Sequence, residues 1–490
     1  MEILYMNKIK KNQYFILKLL IFVFLLFDIA YSFYQYFGEP IDGDVPNIVS
    51  PAPIYEKVLK DPLGLSILNG GEKYAATNRF SCHWMMRIWF TNVHHFFSLL
   101  FRDKINCLFF TAAFFSIVVQ YFIIALLSIY ITKEFKFWKL SFLFSCLILA
   151  SFFQSNGYDT QIGIIDHCIT YTFFYAFPLA LLMLYFLPFF LIENRIWNAN
   201  SFLIKVLVVW MIPFSLFLAF SGPLIAPLVL LICPSIMIYF LSKNILIVRS
   251  KNSLIISRKD DFVFPNYLIL PFSFFIFICL YSFYLGTFNI ENGEYISLFK
   301  RYQLLMIGLP KYFFSKLGLP IVFLFLGINF IISKKIIPTF KVSKSTFFIC
   351  FIALVYLLIL PLGGYRSYRP YIVRYDTFLP ITILLLFFIG KGSLFVIKNL
   401  NGFQQKTYLL FLLLFLSVFL IVDKPQFDKN ECQRINLKII SERKENVVVI
   451  NSNCTLLSWI LIADPAWGTN ISDMLFKWKI TDKRKEFVNR

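Results

Sequence analysis

Charge is scarce in this chain. Only 15% of its 490 residues are Asp, Glu, Lys or Arg, while 59% are hydrophobic. Soluble domains carry about 25% charged residues. With a mean hydropathy of +0.71, this excludes a soluble enzyme, a nucleic-acid-binding module and a filament former of this size. Acidic residues are scarcer still, 27 against 47 Lys and Arg, for a net charge of +20. In a soluble protein that excess would suggest nucleic acid; here it fits membrane topology and attraction to anionic lipid or phosphate. There are four His, and no Cys or His spacing of zinc-ligand type. No repeat occurs at a fixed period, and no matched pair of Gly/Pro-broken segments suggests an inverted-repeat transporter. The 62 Phe satisfy the bilayer's demand for apolar residues and point to no function of their own.

What the chain has in abundance is apolar runs. Since each backbone N–H and C=O in hydrocarbon must be satisfied within its own segment, runs of about 17 to 24 residues predict membrane helices. About eleven are predicted: Tyr14–Tyr36, Leu108–Ile131, Leu140–Phe153, Ile169–Ile192, Phe202–Phe220, Pro223–Leu241, Leu268–Phe288, Leu317–Ile332, Thr346–Leu362, Thr377–Ile397 and Tyr408–Val422. The first follows Lys8, Lys10 and Lys11, but its run is too long for a signal peptide and lacks a cleavage site, so it reads as a retained anchor. Lys and Arg near helix ends stay cytoplasmic. A cytoplasmic N-terminus puts the basic connections Lys133–Lys139, Arg195–Lys205, Lys243–Lys259, Lys334–Lys344 and Lys391–Lys406 on one side. The expected architecture is an all-α polytopic membrane domain over 1–422, with a long, partly helical first outer loop at 38–106. A small α/β extracytoplasmic segment follows at 423–490. A bacterial inner membrane fits this layout best.

Candidate chemistry gathers on the outer side. After the first span comes Gly38-Glu39-Pro40-Ile41-Asp42-Gly43-Asp44. Asp42 and Asp44, one Gly apart, can take a proton from an attacking hydroxyl or hold a cation; the plain alternative is a polar turn ending a helix. In the second outer loop, Asp159 and Asp166 with His167 add carboxylates and an imidazole, which also suit a divalent metal. The other His residues, His83, His94 and His95, are expected to be solvated. The segment Gly363–Asp376 places Arg366, Arg369 and Arg374, interleaved with Tyr368 and other Tyr, where basic residues are disfavoured. Guanidinium bonds phosphate bidentately. These Arg are therefore candidates to bind phosphate or pyrophosphate, unless they pair with Asp376, with loop carboxylates or with lipid headgroups. Aromatics from Trp84 to Phe101 predict an interfacial helix. Asp28, inside the first span, reads as a helix-packing or cavity residue. Cys432 and Cys454 are expected to form a disulfide in the tail, and Cys82 with Cys107 is a weaker pair.

A long, partly helical first outer loop that opens with an acidic pair, on a chain of about eleven spans with an outer C-terminal segment, resembles the GT-C superfamily of membrane glycosyltransferases. Asp42 and Asp44 match the position of its catalytic acidic motif, and Asp159 or Asp166 the second acidic motif of some members. The resemblance implies transfer of a sugar from a polyprenyl-phosphate donor to a lipid or glycan acceptor at the outer face, usually with inversion, and no nucleic-acid partner. It makes Asp42 or Asp44 the base or a metal ligand, and gives Arg366, Arg369 and Arg374 to the leaving phosphate. It leaves open Mg or Mn on Asp44 and Asp166. Asp464-Pro465-Ala466-Trp467-Gly468 is unlike the Trp-Trp-Asp motif of oligosaccharyltransferases, so transfer to Asn is unsupported. A flippase or exporter of a lipid-linked glycan and a non-catalytic assembly protein are the competing classes. The former would keep its function without Asp42 and Asp44; the latter would have no cavity joining the first outer loop to Gly363–Asp376.

Overall fold

The computed structural model describes residues 11–153, 160–197, 202–250, 253–258, 266–292, 296–337, 344–422 and 427–490. It is 72% helical. Each predicted apolar run coincides with a helix. Eight helices are long and apolar enough to cross a membrane: Asn12–Phe37, Lys104–Thr132, Ile169–Glu193, Ile269–Gly286, Gly318–Ile336, Thr346–Gly363, Tyr375–Asn399 and Gly402–Val422. Three further apolar helices, Leu140–Ala150, Val206–Ala219 and Ile225–Tyr239, are shorter. The set is compatible with a multi-pass membrane protein.

Hydropathy does not say which helix faces lipid. The first and the Lys104–Thr132 helix have nearly equal hydropathy, 2.2 and 2.3, yet 22% of one window and 72% of the other is buried within the protein. Phe15, Phe24 and Phe27 on the first helix are exposed, as side chains solvated by acyl chains can be. Asp28 on that helix is buried and accepts a hydrogen bond from Tyr121 Oη at 2.6 Å. Its carboxylate thus ties two apolar helices together, as the packing reading expects.

The basic connection Lys243–Lys259 contains a pair of strands. Ile245–Ser250 and Ser253–Arg258 pair antiparallel, Ile245 opposite Arg258 and Ser250 opposite Ser253. Both strands are rich in Ile, Leu and Val, which favour extended backbone over a solvated loop.

The segment after the first helix folds into short helices, Asp44–Val49, Pro53–Lys60 and Leu65–Gly70, and then a longer rod. The rod is Phe80–Ile88, a π-helical turn Trp89–Val93 and His94–Leu100. It is amphipathic: Met86, Phe90 and Phe97 are buried, whereas Trp84, Phe96, Leu99 and Leu100 are exposed. His83 and His94, expected in solvent, lie on its buried face instead, 1% and 2% exposed.

The C-terminal segment is α/β. Its helices Glu431–Glu442 and Thr469–Lys477 accompany a parallel pair of strands, Val447–Ile450 and Glu486–Asn489. It docks onto the first loop. Gln433 clamps the Ile41 backbone, accepting from Ile41 N at 2.9 Å and donating to Ile41 O at 3.0 Å, and Trp478 Nε1 donates to Phe90 O at 2.8 Å. Neither expected disulfide is formed; the nine cysteines are free thiols. The side chains have other neighbours. Cys82 Sγ reaches Phe173 O at 3.3 Å, Cys107 Sγ lies 3.8 Å from His94 Nδ1, and Cys432 Sγ is 3.4 Å from Ser452 Oγ.

Candidate functional site

The two carboxylates of the acidic turn are not equivalent. Asp42 is buried and fully engaged: Thr170 N donates to Oδ2 at 3.0 Å, while Thr170 Oγ1 and Asp44 N donate to Oδ1 at 2.8 and 3.0 Å. Burial raises its pKa even against these donors. Asp42 thereby braces the turn against the start of the Ile169–Glu193 helix. Asp44, two residues on, is the carboxylate that lines a cavity of about 420 Å³. Trp459 Nε1 donates to its Oδ1 at 3.0 Å. Burial and the neighbouring Asp42 push its pKa up to about 6, so it changes charge close to neutral pH.

The intervening Gly43 has an ordinary φ of −72°, so backbone freedom is not its role. The C-terminal segment passes so close that a Cβ there would lie 2.5 Å from Trp459 N and 2.7 Å from Ser458 C. Any side chain would push Trp459 off Asp44.

Much of the remaining lining is basic and aromatic. Arg79, Arg366, Arg374, Tyr171, Tyr175 and Tyr368 line the same cavity, with Glu291, Tyr55 and His83. Arg374 is paired with Asp376, and its guanidinium lies 5.0 Å from the Tyr171 ring and 5.1 Å from that of Tyr368. Arg369 sits behind, off the cavity lining, bonded to Tyr175 Oη and 2.7 Å from Asp376 Oδ2. Asp376 is 1% exposed at its side chain. The Asp376 pairing weighed for these arginines is therefore present for two of the three.

Arg366 is held differently. Its guanidinium donates to Glu291 O at 2.5 Å, and its Nη2 stays 3.6 Å from the Glu291 carboxylate; Arg79 Nη1 stays 3.7 Å from the same oxygen. Those ion pairs exceed hydrogen-bond length. Arg79 Nε is buried without a hydrogen-bond partner. Burial and the adjacent Arg79 lower the pKa of Arg366, so two like charges sit side by side with one carboxylate between them. Burial works to raise the Glu291 carboxyl, but Arg79, the 2.6 Å hydrogen bond from Tyr55 Oη and Arg366 outweigh it and hold it ionised.

No protein-family model, curated protein or solved structure matches this chain.

The remaining predicted residues lie elsewhere. His167 does not line the cavity; its Nδ1 is 3.0 Å from Glu39 Oε1, which also pairs with Lys429 at 2.8 Å. This joins the second loop to the C-terminal segment. Asp166 accepts from Cys168 N at 2.8 Å, and burial raises its pKa; it too is off the cavity lining. Asp159 lies outside the described residues. Among the described residues no group of three or more His, Cys, Asp or Glu side chains is placed to hold a metal ion.

Seven residues that the sequence did not single out, Arg79, Glu291, Tyr55, Thr170, Tyr171, Tyr175 and Trp459, complete the site. They come from four separate stretches of chain. The cavity thus combines one partly protonated carboxylate with guanidinium groups that have donors to spare. That combination can remove a proton and neutralise an anion within one cavity.

Proposed function

We propose that this chain is a membrane glycosyltransferase of GT-C type with about eleven spans. It would transfer a sugar from a polyprenyl-phosphate donor to a lipid or glycan acceptor at the outer face of a bacterial inner membrane, with inversion. The observation that supports this is a single cavity of about 420 Å³ lined by Asp44 together with Arg79, Arg366 and Arg374. Such a volume is in the range of small-ligand sites.

In this reading Asp44 takes the proton of the acceptor hydroxyl as its oxygen attacks the anomeric carbon. The bond from that carbon to the phosphate oxygen breaks, and the electron pair leaves with the phosphate. Arg79 and Arg366 stabilise the charge that develops there. Asp42 is a positioning residue, holding the turn through Thr170. Tyr171, Tyr175 and Tyr368 supply the hydroxyl-bearing walls on which a sugar can lie.

The test is sugar transfer from polyprenyl-phosphate donors by the purified protein in detergent. Asp44→Asn is expected to lower turnover by about 10²- to 10⁴-fold, the usual contribution of a general base, while donor binding persists. Asp42→Asn is expected to lower turnover less. If no donor in a broad panel reacts, yet reconstituted vesicles move a lipid-linked glycan equally well with Asp44→Asn, the flippase reading replaces this one.

A further inference from the structure

A second cavity, of about 440 Å³, shares no lining residue with the first. It opens where the C-terminal segment meets the amphipathic rod. Lys477, Trp478 and Lys479 line one side, and Asn92, His94 and His95 the other; no carboxylate lines it. Lys477 Nζ donates to Ser50 Oγ at 3.1 Å, one of the three bonds an ammonium can donate. The Trp478 indole is fixed by its bond to Phe90 O and by the His94 ring 5.3 Å away. His94 is 2% exposed, its Nδ1 lies 3.1 Å from Thr111 Oγ1, and its Nε2 is buried without a partner.

The surroundings are apolar in a directed way. On the same rod Phe96, Leu99 and Leu100 are 59%, 72% and 71% exposed. The opposite face carries Phe97, which packs on Phe110 and Phe114 at 5.0 and 5.3 Å. Those rings belong to the opening turns of the Lys104–Thr132 helix, so the rod lies across the end of a membrane-length helix. Apolar side chains on such a rod enter the acyl region while its polar edge stays at headgroup depth. A positively charged, carboxylate-free cavity beside an exposed apolar ridge complements one chemistry in particular, a phosphate diester carrying acyl chains.

We propose that this second cavity binds the headgroup of an anionic phospholipid, with Lys477 and Lys479 on the phosphate and the acyl chains along Phe96, Leu99 and Leu100. The site does not depend on the glycosyltransferase reading. It lies next to that site all the same: the helix Asp44–Val49 gives Asp44 and Ile48 to the first cavity and Val49 to the second.

The experiment is native mass spectrometry of the full chain in detergent with phosphatidylglycerol or phosphatidylcholine of equal chain length. The wild type is expected to retain phosphatidylglycerol at least about fivefold over phosphatidylcholine, in line with about 1 kcal/mol per basic residue. Lys477→Gln with Lys479→Asn is expected to bring that ratio close to one. Asn is chosen because Lys479 has φ +58°, a conformation Asn tolerates. Leu99→Asp with Leu100→Asp changes only exposed side chains, and is expected to lower retention of both lipids even if the lysine variant folds poorly. Undiminished selectivity in the lysine variant overturns the proposal. So does glycerol 3-phosphate binding in place of the lipid, which would make the ligand a soluble phosphate.

Discussion

Two carboxylates hold the arginines around the first cavity, and they hold them differently. Asp376 is sealed, with Arg369 and Arg374 on one oxygen and the Thr377 backbone N–H on the other at 2.7 Å. Glu291 is partly exposed and stands 3.6 and 3.7 Å from Arg366 and Arg79. The first arrangement is a close-packed structural joint in which both guanidinium groups touch the carboxylate directly. The second leaves donors for an anion that is not part of the protein. Charge beside a cavity is thus not the same as charge available to a ligand, and the distance to the internal carboxylate separates the two.

The largest effect should come from breaking the sealed joint. Arg369→Ala leaves Asp376 buried beside only one cation, and losing a partner from a buried pair costs about 3–5 kcal/mol. Thermal unfolding in detergent should show a clearly lowered midpoint, partly restored by adding Asp376→Asn. A variant as stable as wild type that has lost only donor binding would place Arg369 in the ligand site and erase the contrast. At the open pair the outcome reverses. Arg366→Ala should leave the unfolding midpoint nearly unchanged, and should weaken donor binding by roughly 10- to 100-fold, the 1.5–3 kcal/mol of a hydrogen bond to a charged group. Lipid-phosphate titration followed by tryptophan fluorescence would measure it.

This contrast was not legible in the sequence, although much around it was. The apolar runs announce every helix long and apolar enough to cross a membrane, because hydrocarbon tolerates no unsatisfied backbone, a demand imposed within each segment. The run Val447–Ile450 likewise announces a strand. The Asp42–Gly43–Asp44 turn and the arginines of 366–374 stand out because charge is rare in so apolar a chain. What the sequence withholds is pairing at a distance. Arg79 and Glu291 lie more than 200 residues apart, and Trp459 bonds an aspartate 415 residues away. No local pattern marks any of them. The buried His83 and His94 were misplaced for a related reason: their loop reads as polar, yet the rod turns that face inward. The roles of Asp42 and Asp44 separate only once Thr170 is seen to occupy both oxygens of Asp42.

The smallest effect is also the most specific. With Asp44 as the base, only its ionised form is active. Its pKa of about 6 means that kcat/KM should climb roughly tenfold per pH unit below 6 and level off above it. Glu291 is among the charges that raise that pKa, after burial and Asp42. Glu291→Gln removes a negative charge near Asp44, makes ionisation easier and should move the midpoint of the profile to lower pH. The two midpoints, read from transfer rates between pH 4.5 and 8, need differ by only a few tenths of a unit to show the link. Asp376→Asn serves as the opposite arm: its carboxylate is consumed by Arg369 and Arg374, so the profile should keep its midpoint even where the rate falls. Equal shifts from both substitutions would mean that the two carboxylates act on the cavity alike. The sealed and the open arrangement would then differ in length of contact but not in consequence.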